Sequence, residues 1–138
     1  GLQTKFWKVK VKPGKPILYG IIKNTPFFGL PGNPVSSYVC FIVFVLEAIK
    51  KLSPAKHEII KKNKAYPLVK IANNSFRETY FRGKYYVKDN VKYVKVFDNQ
   101  DSSLMKNLSL SNCLIKISAK KSIRPGNLIE IIELNNGI

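Results

Sequence analysis

The stretch "GLPGNPVSSY", Gly29 to Tyr38, sets two glycines, two prolines, an asparagine and two serines directly against the apolar run "YVCFIVFVL", Tyr38 to Leu46. Asn33 has the side chain of a helix N-cap. Pro34 suits the first helical turn, where its missing N–H would have no partner anyway. The pattern therefore predicts a helix from about Val35 to Leu52, stopped at Ser53-Pro54. Its middle is apolar on nearly every face, which predicts a buried helix packed on a sheet or between layers.

Upstream, Phe6 to Lys12 alternates strictly, with Trp7, Val9 and Val11 against Lys8, Lys10 and Lys12. This predicts a half-buried strand with a basic exposed face. "KPGKP", Lys12 to Pro16, reads as a turn, "ILYGII" as a second strand and "FFGL" as a short third, with Asn24-Thr25-Pro26 as the loop between them. Two or three strands cannot bury so apolar a helix. Residues 1–53 thus read as the C-terminal part of a larger α/β domain.

Beyond Pro54 the texture becomes basic and β-rich. Strands are predicted at Tyr66–Ile71, Glu78–Val87, Val91–Phe97, Leu114–Ser118 and Leu128–Leu134, and a short helix at Ser103–Leu110. Turn signals separate them at Asn73-Asn74, Asp89-Asn90, Asp98-Asn99 and Pro125-Gly126-Asn127. Residues 54–138 read as a small all-β unit, a barrel or sandwich. The fold class is α/β followed by all-β.

The 138 residues carry 24 basic and 8 acidic side chains, a formal charge of +16, and no carboxylate precedes Glu47. Such an excess favours an anionic partner, although a lysine-rich composition alone gives the same number. The longest apolar run has nine residues, against about 20 for a membrane span, so no transmembrane helix is expected. The charged start has no signal-peptide core. Cys40 and Cys113 lie far apart with no CxxC pair, and His57 is the single histidine. These features argue against a disulfide framework or a His/Cys metal site and for a reducing cytoplasm.

Three constellations fit anions. Lys8 and Lys12 would lie about 13 Å apart on one strand face, with Lys15 reaching in from the turn; a solvated strand face is the plainer reading. Gly32, Asn33 and Pro34 open a helix N-terminus, with Ser36 and Ser37 in its first turn. In "SFRETYFRGKYY", Arg77 and Arg82 flank a strand start among interleaved aromatics, a pattern suited to oxyanions or to single-stranded nucleic acid. There is no GxSxG elbow, P-loop, HExxH motif or carboxylate pair.

"FWKVKVKPGKP" followed by "FGLPGNPVSS", then "FRETYFRG", "QDSSLMKNLSLSNCLIKI" and "RPGNLIEIIEL", resembles the molybdopterin molybdenumtransferase (MoeA) family, which includes the E domain of gephyrin. The resemblance implies the end of a molybdopterin-binding α/β domain (MoaB/MogA-like) over residues 1–53 and a small β-barrel-like domain over 54–138. It implies insertion of molybdate into adenylylated molybdopterin with release of AMP, assisted by a divalent cation such as Mg²⁺ whose ligands lie outside this chain. It implies a homodimer in the full-length protein, and a nucleic-acid partner is not expected. Carried onto this sequence, Lys8, Lys12 and Lys15 would hold phosphates and the oxyanion, and Pro16 would line the molybdate pocket. Ser36 would contact the anion beside Gly32 and Asn33. Arg77 or Arg82, with Ser102, would reach in from the β domain. Asp101 stands where the family has glycine, which sets a carboxylate beside an oxyanion pocket. The alternative is a basic β-barrel that binds single-stranded nucleic acid.

Overall fold

The computed structural model describes residues 1–54, 60–101 and 105–134. His57, Ser102 and the expected start of the short helix at Ser103 lie outside the described residues. The chain begins with an antiparallel sheet in the order β1 (Gln3–Trp7), β3 (Leu18–Ile22), β4 (Thr25–Gly29). Between its first two strands lies β2 (Val11–Lys12), which pairs in parallel with β7 (Glu78–Lys88) of the second half.

The alternation from Phe6 to Lys12 is therefore not one strand. Lys8 adopts φ 64°, and its N–H turns inward to the Ile17 carbonyl at 3.1 Å. The break sends β1 and β2 into different sheets, leaving Trp7 59% exposed beneath the Lys8 ammonium, 4.2 Å from the ring centroid. Thr25 and Pro26 also differ from the reading as loop. The hairpin turns at Lys23-Asn24, both with positive φ as a two-residue type I′ connection requires, and Pro26 sits in edge strand β4, where no ladder N–H is needed.

The helix starts where the sequence sets it. It runs through α1 (Pro34–Cys40), a π-helical segment (Phe41–Val45) and α2 (Leu46–Leu52). Asn33 Oδ1 accepts from the N–H groups of Val35 at 3.1 Å and Ser36 at 3.2 Å, and Ser53 leaves the helix in extended conformation. Only one side is fully buried, through Val35, Val39, Cys40, Ile42 and Leu46; Ile49 and Leu52 are exposed. The helix packs on the barrel as expected, through Val39, Ile42 and Leu46 against Tyr80, Leu114 and Ile132, but its burial is incomplete, since Phe41, Val43, Phe44 and Val45 are only half-buried. Among the described residues, no helix is long and apolar enough to cross a membrane.

The second half closes a barrel. Strands β5 (Lys61–Pro67), β7, β8 (Val91–Val96), β9 (Cys113–Ile117) and β11 (Ile129–Glu133) run in the order β7-β8-β5-β11-β9, and β9 pairs back onto β7. Closure removes both sheet edges. The predicted strand at Tyr66–Ile71 instead ends at Pro67, after which β6 (Ile71–Ala72) pairs with β10 (Ser122–Ile123). Helix α3 spans Met105–Leu110. Inside the barrel Ala65, Val94, Ile115 and Ile131 are fully buried. Alternate residues point outward, and Tyr80, Leu114 and Ile132 meet Val39, Ile42 and Leu46 of the helix in a second cluster.

One polar group ties the barrel strands. Glu133 accepts from Asn63 Nδ2 at 2.8 Å, and Lys92 lies 2.9 Å and Lys61 3.9 Å from its carboxylate. Burial pushes the Glu133 carboxyl up, but the hydrogen bonds from Lys92 and Asn63 and the charges of Lys92 and Lys61 outweigh it and hold the group below the ordinary carboxylate range. A carboxylate lowered in the folded state stabilises the fold above its unfolded value, and that contribution is lost as the pH falls through the folded value. Urea midpoints of the wild type should therefore drop as the pH goes below about 4.3, more steeply than those of Glu133→Gln. Parallel pH profiles would assign the acid sensitivity to other carboxylates.

Candidate functional site

Where the two halves meet, they enclose a cavity of about 680 Å³. One wall is the Lys12–Pro16 turn with Ser36 of α1; the other is the loop before β7, the start of β7 and Gln100-Asp101. The turn is locked locally. Val9 N–H donates to the Lys15 carbonyl at 2.9 Å, and Ile17 N–H to the Gly14 carbonyl at 3.2 Å. Gly14, at φ 115°, packs against the helix, and the Cys40 thiol donates to its carbonyl at 3.6 Å. Burial pushes that thiol up to about 11, so it stays protonated at neutral pH and acts as packing.

The far wall is fixed by Asn73, 3% exposed. Its Nδ2 donates to the carbonyls of Arg77 at 2.9 Å, Ile117 at 3.0 Å and Ser118 at 3.1 Å. Its Oδ1 accepts from Ser75 N–H and from the Thr79 hydroxyl, both at 3.0 Å. The loop is thereby shaped around Arg77, whose Nη1 reaches across to the Val11 carbonyl at 3.3 Å. Glu78 N–H also joins the Lys10 carbonyl at 3.0 Å. Backbone and guanidinium contacts thus fasten the two walls to each other.

Arg82 is 1% exposed. Its Nη2 donates to the Asp101 carbonyl at 3.1 Å, while Nε is buried with no partner. Burial pushes the guanidinium down, and the Asp101 charge acts against this. A buried charged donor without an acceptor is costly. An anion entering the cavity would relieve that cost through a charge-assisted bond.

Lys12, Lys15, Pro16, Ser36, Arg77 and Arg82 line this one cavity, so both arginines contribute to it. Lys8, Gly32 and Asn33 stand outside its wall. Lys8 is turned away by its backbone and sits on Trp7. The helix start offers Ser36 rather than free amides, because Asn33 already occupies the N–H groups of Val35 and Ser36. Sequence reasoning does not single out Asn73, which reads only as a turn residue, or Gln100. The Asn-Asn-Ser run is the signal for the first, since asparagine commonly accepts from its own backbone two residues on, as Asn73 does from Ser75. Four cations and Asp101 give the cavity a net positive wall suited to phosphate or another oxyanion.

The sequence matches the family described as MoeA C-terminal region (domain IV) over residues 64–134, and the family described as probable molybdopterin binding domain over residues 1–51. It is 33% identical over 139 residues to a molybdopterin molybdenumtransferase of Haemophilus influenzae, covering 97% of this chain and 34% of that protein. It is 36% identical over 121 residues to the molybdenum cofactor synthesis protein cinnamon of Drosophila melanogaster, covering 86% of this chain and 20% of that protein. The chain therefore spans about a third or less of the length of these curated relatives. Two solved structures share the fold. A molybdenum cofactor biosynthesis protein from Pyrococcus furiosus superposes with a TM-score of 0.76 at 22% identity over 96% of this chain and 46% of that one. A molybdopterin biosynthesis moeA protein from Pyrococcus horikoshii gives 0.73 at 24% identity over 97% and 33%. Through the match that spans its barrel and the strands around it, this chain belongs to the MoeA family.

Proposed function

We propose that this chain supplies the anion-binding part of an enzyme of molybdenum cofactor biosynthesis. The reaction we infer is insertion of molybdate into adenylylated molybdopterin with release of AMP. The observation that carries the reading is the cavity between the two family-matched segments, with Lys12, Lys15 and Arg77 around a buried Arg82 whose Nε has no partner. Lys12 and Lys15 would hold the adenylate phosphate and pyrophosphate oxygens as point charges. Arg77 and Arg82 would fix the oxyanion by their planar donors, with Pro16 and Ser36 bounding its seat. Negative charge that shifts between phosphate and molybdate oxygens would stay within reach of these cations.

The division into residues 1–53 and 54–138, the homodimer and the cytoplasmic location belong to the same proposal. A divalent cation does not fit this cavity. Its wall has one carboxylate among four cations, and the described residues hold no group of three or more His, Cys, Asp or Glu placed to bind a metal.

Lys12→Ala should weaken AMP or pyrophosphate binding roughly 10- to 150-fold, the loss of one charge-assisted contact. Calorimetry at two salt concentrations measures it; wild-type affinity in the variant would remove Lys12 from the site. The second reading, single-stranded nucleic acid, has one observation in its favour. Tyr86, Tyr93 and Tyr66 lie in register across β7, β8 and β5, with Lys84 and Lys95 paired beside them. Oligonucleotide binding that falls steeply with salt and ignores Lys12→Ala would support that reading.

A further inference from the structure

We propose that Gln100 is a positioning residue that holds Arg82 in the cavity. The inference rests on the anion-binding reading above for its consequence, though not for its geometry. At Arg82 the ladder from β7 to β8 runs out: its last residue pair is Gly83 opposite Val96, and beyond it the Phe97 N–H still donates to the Arg82 carbonyl at 3.2 Å, while the Arg82 N–H has no acceptor on that strand. On the other edge, β9 continues, with Leu114 opposite Arg82. Gln100 supplies the missing acceptor and a second donor to the Arg82 carbonyl. Its Oε1 accepts the Arg82 N–H at 2.8 Å, and its Nε2 donates to the carbonyls of Arg82 at 2.9 Å and Phe97 at 2.8 Å. One side-chain amide thus does what a strand residue would do, and folds the segment after β8 back over the arginine. The next residue in that segment, Asp101, gives its carbonyl to Arg82 Nη2.

The consequence is directional. With one Nη held by that carbonyl and the backbone clamped, the side chain is 1% exposed and Nε is left without a partner. Gly83 lets the strand stay this close: a Cβ there would lie 2.6 Å from both the Lys95 carbonyl and Ile115 Cδ1. Releasing the clamp would free the covering segment, expose the guanidinium and spread its orientation. Binding an anion would then have to order it again.

The barrel contains its own control. Asn112 holds Tyr85 by the same reciprocal pair, accepting from its N–H at 2.7 Å and donating to its carbonyl at 3.0 Å. Asn112 does not touch Arg82 through any of these bonds. A role in barrel stability alone would make Gln100 and Asn112 equivalent.

The test compares Gln100→Met, which keeps length and loses all three bonds, with Asn112→Ala. Two readouts are taken on the full chain: the rate at which phenylglyoxal modifies Arg82, resolved by peptide mass, and calorimetric affinity for AMP and for tungstate. Gln100→Met should raise Arg82 modification and lower anion affinity, each about tenfold. Asn112→Ala should lower the urea midpoint yet leave both readouts at wild-type values. Wild-type Arg82 reactivity in Gln100→Met, or the same change in Asn112→Ala at equal loss of stability, would overturn the proposal. Should Gln100→Met not fold, Gln100→Glu is read instead; it keeps the acceptor for the Arg82 N–H, loses both donors, and should show the same direction. If wild type binds neither AMP nor tungstate, the functional reading falls, while the modification rates still decide whether Gln100 positions Arg82.

Discussion

Leu114→Ala should cost the chain about 2–5 kcal/mol, a large share of the stability of a small domain. Leu114 is 0% exposed and points outward from β9. There it meets Val39, Ile42 and Leu46 of the helix and Tyr80 and Ile132 of the barrel. These neighbours come from a helix and a closed barrel, so neither side can collapse easily into the space left behind. The loss should also couple the halves. A single unfolding transition should move as a whole when followed by the far-UV signal and by tryptophan emission from Trp7, which sits in the first sheet. Leu52→Ala is the control, since Leu52 is 66% exposed and should change stability by no more than about 0.5 kcal/mol. A Leu114→Ala loss below about 1 kcal/mol, or a shift confined to one probe, would mean that the helix and barrel do not share this core.

Gly14→Ala should affect both stability and the site. A Cβ at Gly14 would lie 2.3 Å from Cys40 Sγ, and the backbone there holds φ 115°, where side chains are strained. The turn must lift off the helix or Cys40 must move within a packed interior, at a cost of about 1–3 kcal/mol. Lifting the turn carries Lys12 and Lys15 with it, so anion affinity should fall together with stability. The Cys40 thiol reports the movement. Buried and held up near 11, it should resist disulfide reagents in the wild type and react in Gly14→Ala. Adding Cys40→Ala should recover part of the stability, because the steric conflict goes while the backbone strain stays. An inert thiol with unchanged anion affinity in Gly14→Ala would show that the turn is not seated on the helix.

What can be read from the sequence is mostly local. Asn33 and Pro34 announce a helix start because a cap acts within three residues, and the helix begins there. The Asp89-Asn90 pair marks a hairpin because both residues tolerate the left-handed conformation that they adopt. Barrel closure is different. It depends on β9 returning to β7 in one register, from Thr79 opposite Ile117 to Gly83 opposite Cys113, and no local pattern encodes that pairing. Alternation also misleads at Phe6 to Lys12, where the period of two continues through a residue with positive φ that sends the chain into another sheet. In the site, cations stand out by type. The amides that place them do not, since Gln100 acts on Arg82 from 18 residues away and Asn73 on Ile117 from 44.

If the cavity between the two halves is an anion seat for a molybdopterin-derived substrate, the wild-type chain should bind adenylylated molybdopterin by itself. Calorimetric titration with that ligand, at low and at physiological salt, decides the matter. Saturable binding of one ligand per chain is expected, surviving physiological salt and lost in Lys12→Ala. No saturable binding, or binding indifferent to Lys12→Ala, would mean that the cavity is not the seat.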